Sequence, residues 1–180
     1  MFEDADGTYG HGRPAVFLDR DGVLNVDHGF VSTPERWEWV CDAPAAVAEL
    51  NALGYLVVVA TNQSGIGRGH FSEKDFAGIT AWMRERLADH GATVDAVYHC
   101  PHHPTEAIGA YRRDCECRKP RPGMLLAAIA DLGIDASASY LIGDSGRDIE
   151  AAEAAGVTGL HFEGGSLLAF VRENVPRPPL

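Results

Sequence analysis

Two aspartates, Asp19 and Asp21, close the short apolar run Val16-Phe17-Leu18 and are followed at once by Gly22. Side chains along an extended strand alternate between faces, so residues two apart point the same way. Carboxylates that converge like this repel each other unless a cation or a proton offsets the charge. The pair therefore has the makings of a divalent-metal site, with one carboxylate as nucleophile and the other handling a proton. A strand that simply ends in a polar Asp-Gly turn is the other reading of the same residues.

A second group that could do chemistry is Cys100, His102, Cys115 and Cys117. Three soft sulfurs and one imidazole make a full tetrahedral Zn²⁺ set with no position left for water, so such a zinc is structural. A Cys115–Cys117 disulfide competes with this, but it would close a strained small ring and leave Cys100 and His102 unexplained. His103 reads as a bystander to His102, and Cys41 as a small buried hydrophobe. Arg118 and Lys119 follow Cys117 directly, so a metal loop over residues 98–119 would deliver two cations to whatever lies beside it.

These residues need a scaffold, and the apolar pattern supplies one. Short, β-branched runs at 15–18, 55–60, 94–98, 140–142 and 158–162 read as strands. Helical patterns at 43–53, 72–89, 123–132, 147–155 and 166–173 alternate with them. Pro44 suits a first helical turn, and Ser72 with Asp75 an N-cap and an acidic first turn. Gly54, Gly91, Gly133 and Gly156 fall where helices should stop. Strand–helix alternation implies an α/β fold, a Rossmann-like three-layer αβα sandwich with a central parallel sheet. In such sheets ligands bind beyond the carboxyl ends of the strands. Asp19 and Asp21, the segment Thr61-Asn62-Gln63-Ser64, and the segment from Asp144 to Asp148 all fall at those ends.

The chain has 180 residues, 46% hydrophobic and 23% charged, which suits one globular domain. No stretch approaches the roughly 20 apolar residues that span a bilayer. The acidic, glycine-rich first residues do not read as a signal peptide, so the expected location is the cytoplasm, with residues 1–13 and 176–180 flexible. The formal net charge of −11 argues against nucleic acid and anionic membranes as partners. A phosphorylated small molecule held by local cations is compatible with it, and a monomer is the default.

The four strand-end segments resemble, in order, the motifs of the haloacid dehalogenase superfamily: FLDRDG, ATNQSG, CRKP and GDSGRD. The resemblance implies phosphatase chemistry on a cap-less fold, with Asp19 as nucleophile and Asp21 as general acid/base. Thr61 would hydrogen-bond a phosphoryl oxygen, and Lys119 would stabilise its charge. Mg²⁺ would be held by Asp19, the backbone carbonyl of Asp21, and Asp144, hard oxygen ligands that suit it. Asp148 would organise the fourth loop rather than bind metal.

Within that superfamily, four segments are similar to the heptose bisphosphate 7-phosphatases. These are FLDRDGVLNVDHGFV, VVVATNQSGIGRGHF, YHCPHHP and CECRKPRPGML. This similarity implies a sugar-recognition loop at Asp27, His28, Gly29 and Phe30, with Asn62, Gln63, Ser64 and Arg118 also contacting the substrate. The product would be a heptose 1-phosphate destined for nucleotide-activated heptose and a bacterial surface glycan such as lipopolysaccharide. Phe30 stands where a tyrosine is frequent in that group, and Ser145 where a lysine is frequent. A histidinol-phosphate phosphatase shares the metal motifs and a similar zinc loop, with the DHGF segment against it. A zinc-stabilised binding module is opposed by the acidic charge and by the four-motif register.

Overall fold

The computed structural model describes residues 12–178. The expected flexibility of residues 1–11, 179 and 180 falls outside the described residues. In chain order the principal elements are β1 (Ala15–Leu18), α1 (Ala43–Leu53), β2 (Leu56–Asn62), α2 (Ser64–Gly67) and α3 (Glu73–Ala88). They are followed by β3 (Ala96–Cys100), α4 (Gly123–Leu132), β4 (Tyr140–Gly143), α5 (Gly146–Ala154), β5 (Thr158–His161) and α6 (Leu167–Asn174). The five strands form one parallel sheet in the order β3-β2-β1-β4-β5.

Burial follows strand alternation. Val16 and Leu18 of β1 and Val57 and Val59 of β2 pack on one face with Val47 and Leu50 of α1, Met83 of α3 and Val171 of α6. Ala15, Phe17, Val58 and Ala60 face the other way, onto Met124, Leu125 and Ala128 of α4 and Ala152 of α5. Each large apolar side chain removed from water contributes about 1.5–3 kcal/mol, so the buried runs of β1 and β2 anchor the centre of the sheet. Arg13 and Pro176 lie in the segments expected to be flexible, and each has a partner. Arg13 bridges Ile134, and the Tyr55 hydroxyl donates to the Pro176 carbonyl at 2.9 Å.

Four local features differ from the sequence reading. β2 runs on through Thr61 and Asn62, because the ladder with β3 continues to the pairs Thr61–His99 and Asn62–Cys100. β3 starts at Ala96 rather than position 94, since the Asp95 side chain turns back to accept from the Val57 N–H at 2.8 Å. The segment from Ser64 to Gly67, where no helix was expected, is a single helical turn. Cys41 is exposed rather than buried, because it stands in the turn before α1 and outside the helix's apolar face. Ser72 and Asp75 do form a reciprocal capping box at the start of α3.

From β1 the chain builds outward to β2 and β3 on one side, and β4 and β5 lie on the other. The crevice at such a switch point opens beyond the carboxyl ends of β1 and β4. Among the described residues no helix is long and apolar enough to cross a membrane.

Candidate active site

β1 ends at Leu18, so Asp19 and Asp21 do not share a strand face; a tight turn brings them to one cleft. Asp19 stays against β4 through its N–H, which donates to the Ile142 carbonyl at 3.0 Å. Gly22 then turns the chain with φ of 88° and an N–H bond to the Asn25 carbonyl at 2.7 Å. A side chain at position 22 would not fit: its Cβ would lie 2.0 Å from Asp144 Oδ2. Glycine therefore meets both the left-handed backbone and the close approach of a carboxylate. Three side chains orient the Asp21 carboxylate: Arg20 and Asn25, each donating at 2.9 Å, and Gln63 at 2.8 Å. Arg20 is itself buried, donates to the Val31 carbonyl at 2.7 Å and lies against the Trp37 and Phe76 rings.

Behind Asp19 lies Lys119, 1% exposed, with Nζ 3.0 Å from Asp19 Oδ2 and 2.7 Å from Asp148 Oδ1. The lysine's backbone is clamped to the end of β2: Asn62 Nδ2 donates to its carbonyl, and its N–H donates to Asn62 Oδ1, both at 3.0 Å. Asp148 accepts from the Ser145 N–H at 3.1 Å and hydroxyl at 2.6 Å, which starts α5 and fixes the fourth loop. Burial is the largest influence on Asp19 and pushes its carboxyl up to about 6; Lys119 opposes this and Asp148 adds to it. Burial also pushes Asp148 upward, but Lys119 and Ser145 outweigh it and hold that carboxyl below its ordinary value. Asp144 is raised, by burial first and by Asp148 second.

The cleft in front of these groups encloses about 250 Å³ and is lined by Asp19, Asp21, Asp27, Gly29, Phe30, the segment from Thr61 to Ser64, Arg118 and Asp144. Every expected substrate residue in that group is thus brought together. Thr61 is buried, its hydroxyl oxygen accepting from Gln63 Nε2 at 3.0 Å. His28 is placed differently: its ring pairs with Glu38 at 2.7 Å and borders a separate hollow with Arg36. Lys119 lies behind the cleft wall. Sequence reasoning missed Gly65, Arg68 and Arg147, which also line it. Arg147 sits inside the GDSGRD motif and Arg68 inside the segment VVVATNQSGIGRGHF, so both carried a usable signal.

Ligand atoms of Asp19, Asp144 and Asp148 lie within 4.8 Å of one another. Lys119 and Ser145 occupy Asp148; Asp19 Oδ1 accepts from the Arg20 N–H at 2.7 Å and Oδ2 pairs with Lys119, so Asp144 and the remaining lone pairs of Asp19 are what a cation would meet. Two carboxyls both raised by burial, with one lysine between three acids, form a hard-oxygen set that fits Mg²⁺. Cys100, His102, Cys115 and Cys117 form the second cluster, with sulfur–sulfur separations of 3.1, 3.2 and 3.5 Å. His102 Nδ1 lies 3.4 Å from Cys117 Sγ and 3.6 Å from Cys100 Sγ. Four mutually adjacent donors of this kind fit a closed tetrahedral Zn²⁺ site. Arg118 Nη1 donates to the His102 carbonyl at 3.2 Å, so the cluster positions that guanidinium at the cleft. His103 stands outside the metal-suited cluster, as expected, and its Nδ1 accepts from the Glu106 N–H at 3.0 Å, closing the next turn.

The family model described as "HAD-hyrolase-like" matches residues 116–172. With a parallel sheet that collects the four motifs at one crevice, this defines a haloacid dehalogenase-like phosphatase, a hydrolase of phosphate monoesters. The chain is 51% identical over 145 residues to the D-glycero-beta-D-manno-heptose-1,7-bisphosphate 7-phosphatase of Vibrio cholerae, covering 81% of this chain and 78% of that protein. It is 48% identical over 161 residues to the enzyme of the same name from Rhodopseudomonas palustris, covering 89% of each. The crystal structure of D,D-heptose 1,7-bisphosphate phosphatase from B. bronchiseptica, complexed with magnesium and phosphate, superposes with a TM-score of 0.76 at 35% identity. That match covers 92% of this chain and 89% of the other. The chain belongs to the heptose-1,7-bisphosphate 7-phosphatase family.

Proposed function

We propose that this chain hydrolyses the 7-phosphate of D-glycero-β-D-manno-heptose 1,7-bisphosphate to heptose 1-phosphate and inorganic phosphate. It would act in the cytoplasm, in the supply of nucleotide-activated heptose. The observation that carries this reading is Asp19, backed by buried Lys119, opening onto a sugar-sized cleft whose rim bears Arg118. Relatives about half identical to this chain carry the same name, with the β-anomer specified, and support the choice of substrate.

In the proposed reaction an Asp19 carboxylate oxygen attacks phosphorus, and an O–P bond forms as the bond from phosphorus to the sugar oxygen breaks. Asp21 gives its proton to that leaving oxygen. A water molecule then attacks the aspartyl-phosphate, Asp21 takes up its proton, and phosphate leaves with the Asp19 carboxylate restored. Arg20, Asn25 and Gln63 hold Asp21 at the angle both transfers require. Thr61 offers its hydroxyl to a phosphoryl oxygen, and Lys119, behind the wall, offsets the charge of Asp19 as it attacks. Asp19, Asp144 and the Asp21 carbonyl would hold Mg²⁺, which would supply the charge neutralisation that lets one anion approach another. Zn²⁺ on the cysteine–histidine cluster would have a structural role.

The test is a set of phosphate-release kinetics on the β- and α-heptose bisphosphates, histidinol phosphate and an aryl phosphate. The expected result is the highest kcat/KM on the β-bisphosphate. A higher value on histidinol phosphate would replace this reading with the amino-acid pathway enzyme.

A further inference from the structure

The cations around the cleft differ in how far they are already committed. Lys119 is enclosed between Asp19 and Asp148. The Arg20 guanidinium is taken up by Asp21 and the Val31 carbonyl. Arg68 is ion-paired with Glu106 and covers the Phe30 ring at 5.7 Å. Arg118 donates once, to the His102 carbonyl. Arg147, in the first turn of α5, lines the same cleft, is exposed, and has no hydrogen-bond or ion-pair partner for its side chain among the described residues.

A sugar bisphosphate brings two anions to this cleft, and the reacting one takes the Asp19 end. The other meets a wall that includes four carboxylates, Asp19, Asp21, Asp27 and Asp144, in a chain of net charge −11. It needs local cations that internal acids have not already neutralised. Three guanidiniums gather there. Ser145 cannot take the role, because its N–H and hydroxyl both go to Asp148. A guanidinium presents a planar fork of donors that matches phosphate oxygens in pairs.

We propose that Arg147 is a specificity residue: with Arg118 it binds the phosphate of the bisphosphate that is not hydrolysed. This rests on the reading of the site as a sugar-bisphosphate phosphatase. Arg147 carries no step of the chemistry. It distinguishes a substrate with two phosphates from one with only the reacting phosphate.

The experiment compares the parent enzyme, Arg147→Gln and Arg147→Lys at saturating Mg²⁺ on heptose 1,7-bisphosphate and on heptose 7-phosphate. Loss of one charged hydrogen-bonding contact corresponds to about a 10- to 100-fold fall in kcat/KM. Arg147→Gln is expected to show that fall on the bisphosphate, mainly through KM, and a much smaller one on the monophosphate. Arg147→Lys should give an intermediate ratio, and heptose 1-phosphate should inhibit Arg147→Gln more weakly than the parent. Equal falls on both substrates, or no fall on the bisphosphate, would overturn the assignment. A parent enzyme with no preference for the bisphosphate would instead overturn the functional reading, and the role of Arg147 with it.

Discussion

Lys119 Nζ lies 3.0 Å from Asp19 Oδ2 with the lysine side chain wholly closed to solvent, so the ammonium is a built-in counter-ion to the proposed nucleophile. Asp148, at 2.7 Å, holds the same ammonium from the other side. Removing one member of a buried ion pair leaves an uncompensated charge and costs about 3–5 kcal/mol. Lys119→Met, which strands two acids, is therefore expected to lower both stability and turnover. Asp19→Asn leaves Lys119 paired with Asp148, so turnover should disappear while the melting temperature holds or rises. Circular-dichroism melts and phosphate release on both variants check this; an active Asp19→Asn protein would remove Asp19 from the role of nucleophile.

The Asp19 carboxyl, raised from 3.8 to about 6 by burial, makes metal-free stability depend on pH. The unfolded chain gives up that proton more readily than the folded one. The contribution is therefore fully present below the unfolded value and is lost as pH rises through about 6. A divalent cation favours the carboxylate and reverses the trend. Thermal melts in Mg²⁺ and in chelator should differ more at about pH 7.5 than at about pH 5. An equal or larger gain at the lower pH would contradict a cation on Asp19.

The cysteine–histidine loop is joined to the cleft at three points. Arg118 donates to the His102 carbonyl at 3.2 Å, Glu106 pairs with Arg68, and the Ile108 N–H donates to the Gly67 carbonyl at 2.8 Å. Protein purified without added metal should hold about one equivalent of zinc. Stripping it should lower the melting temperature and raise KM for a sugar phosphate by about tenfold or more, through loss of the Arg118 contact. Zinc-free protein with unchanged stability and KM would refute the structural metal.

Arg36 holds the loop proposed to recognise the sugar. Its guanidinium donates to the carbonyls of His28 at 2.9 Å, Gly29 at 2.8 Å and Phe30 at 3.2 Å. Gly29 and Phe30 are both left-handed, with φ of 70° and 51°, and for phenylalanine that conformation carries strain. Arg36→Ala should free the loop and raise KM for heptose bisphosphate by roughly tenfold, with kcat much less affected. A fall in kcat alone would show that the loop does not serve binding.

The sheet and its order of motifs could be read from the chain because their causes are local. β-branched apolar runs alternate with helical ones, and helix starts and stops are written in Ser72, Asp75, Gly54 and Gly133. The Asp19–Asp21 pair and the Cys100–Cys117 cluster were legible for the same reason, since chemistry at close spacing shows in one dimension. The order of the strands in the sheet brought more distant groups together. It set Lys119 between Asp19 and Asp148, Gly22 under the Asp144 carboxylate, and Arg68 and Arg147 on the wall shared with Arg118. It also turned His28 toward Glu38 and let β2 run on through Thr61. Such contacts depend on which strand neighbours which and on where each turn releases the chain. Residue type and spacing by themselves determined a phosphatase-like α/β chain with two metal-suited clusters. Only packing of β4 against β1 decided which charges neutralise one another and which stay free for a ligand.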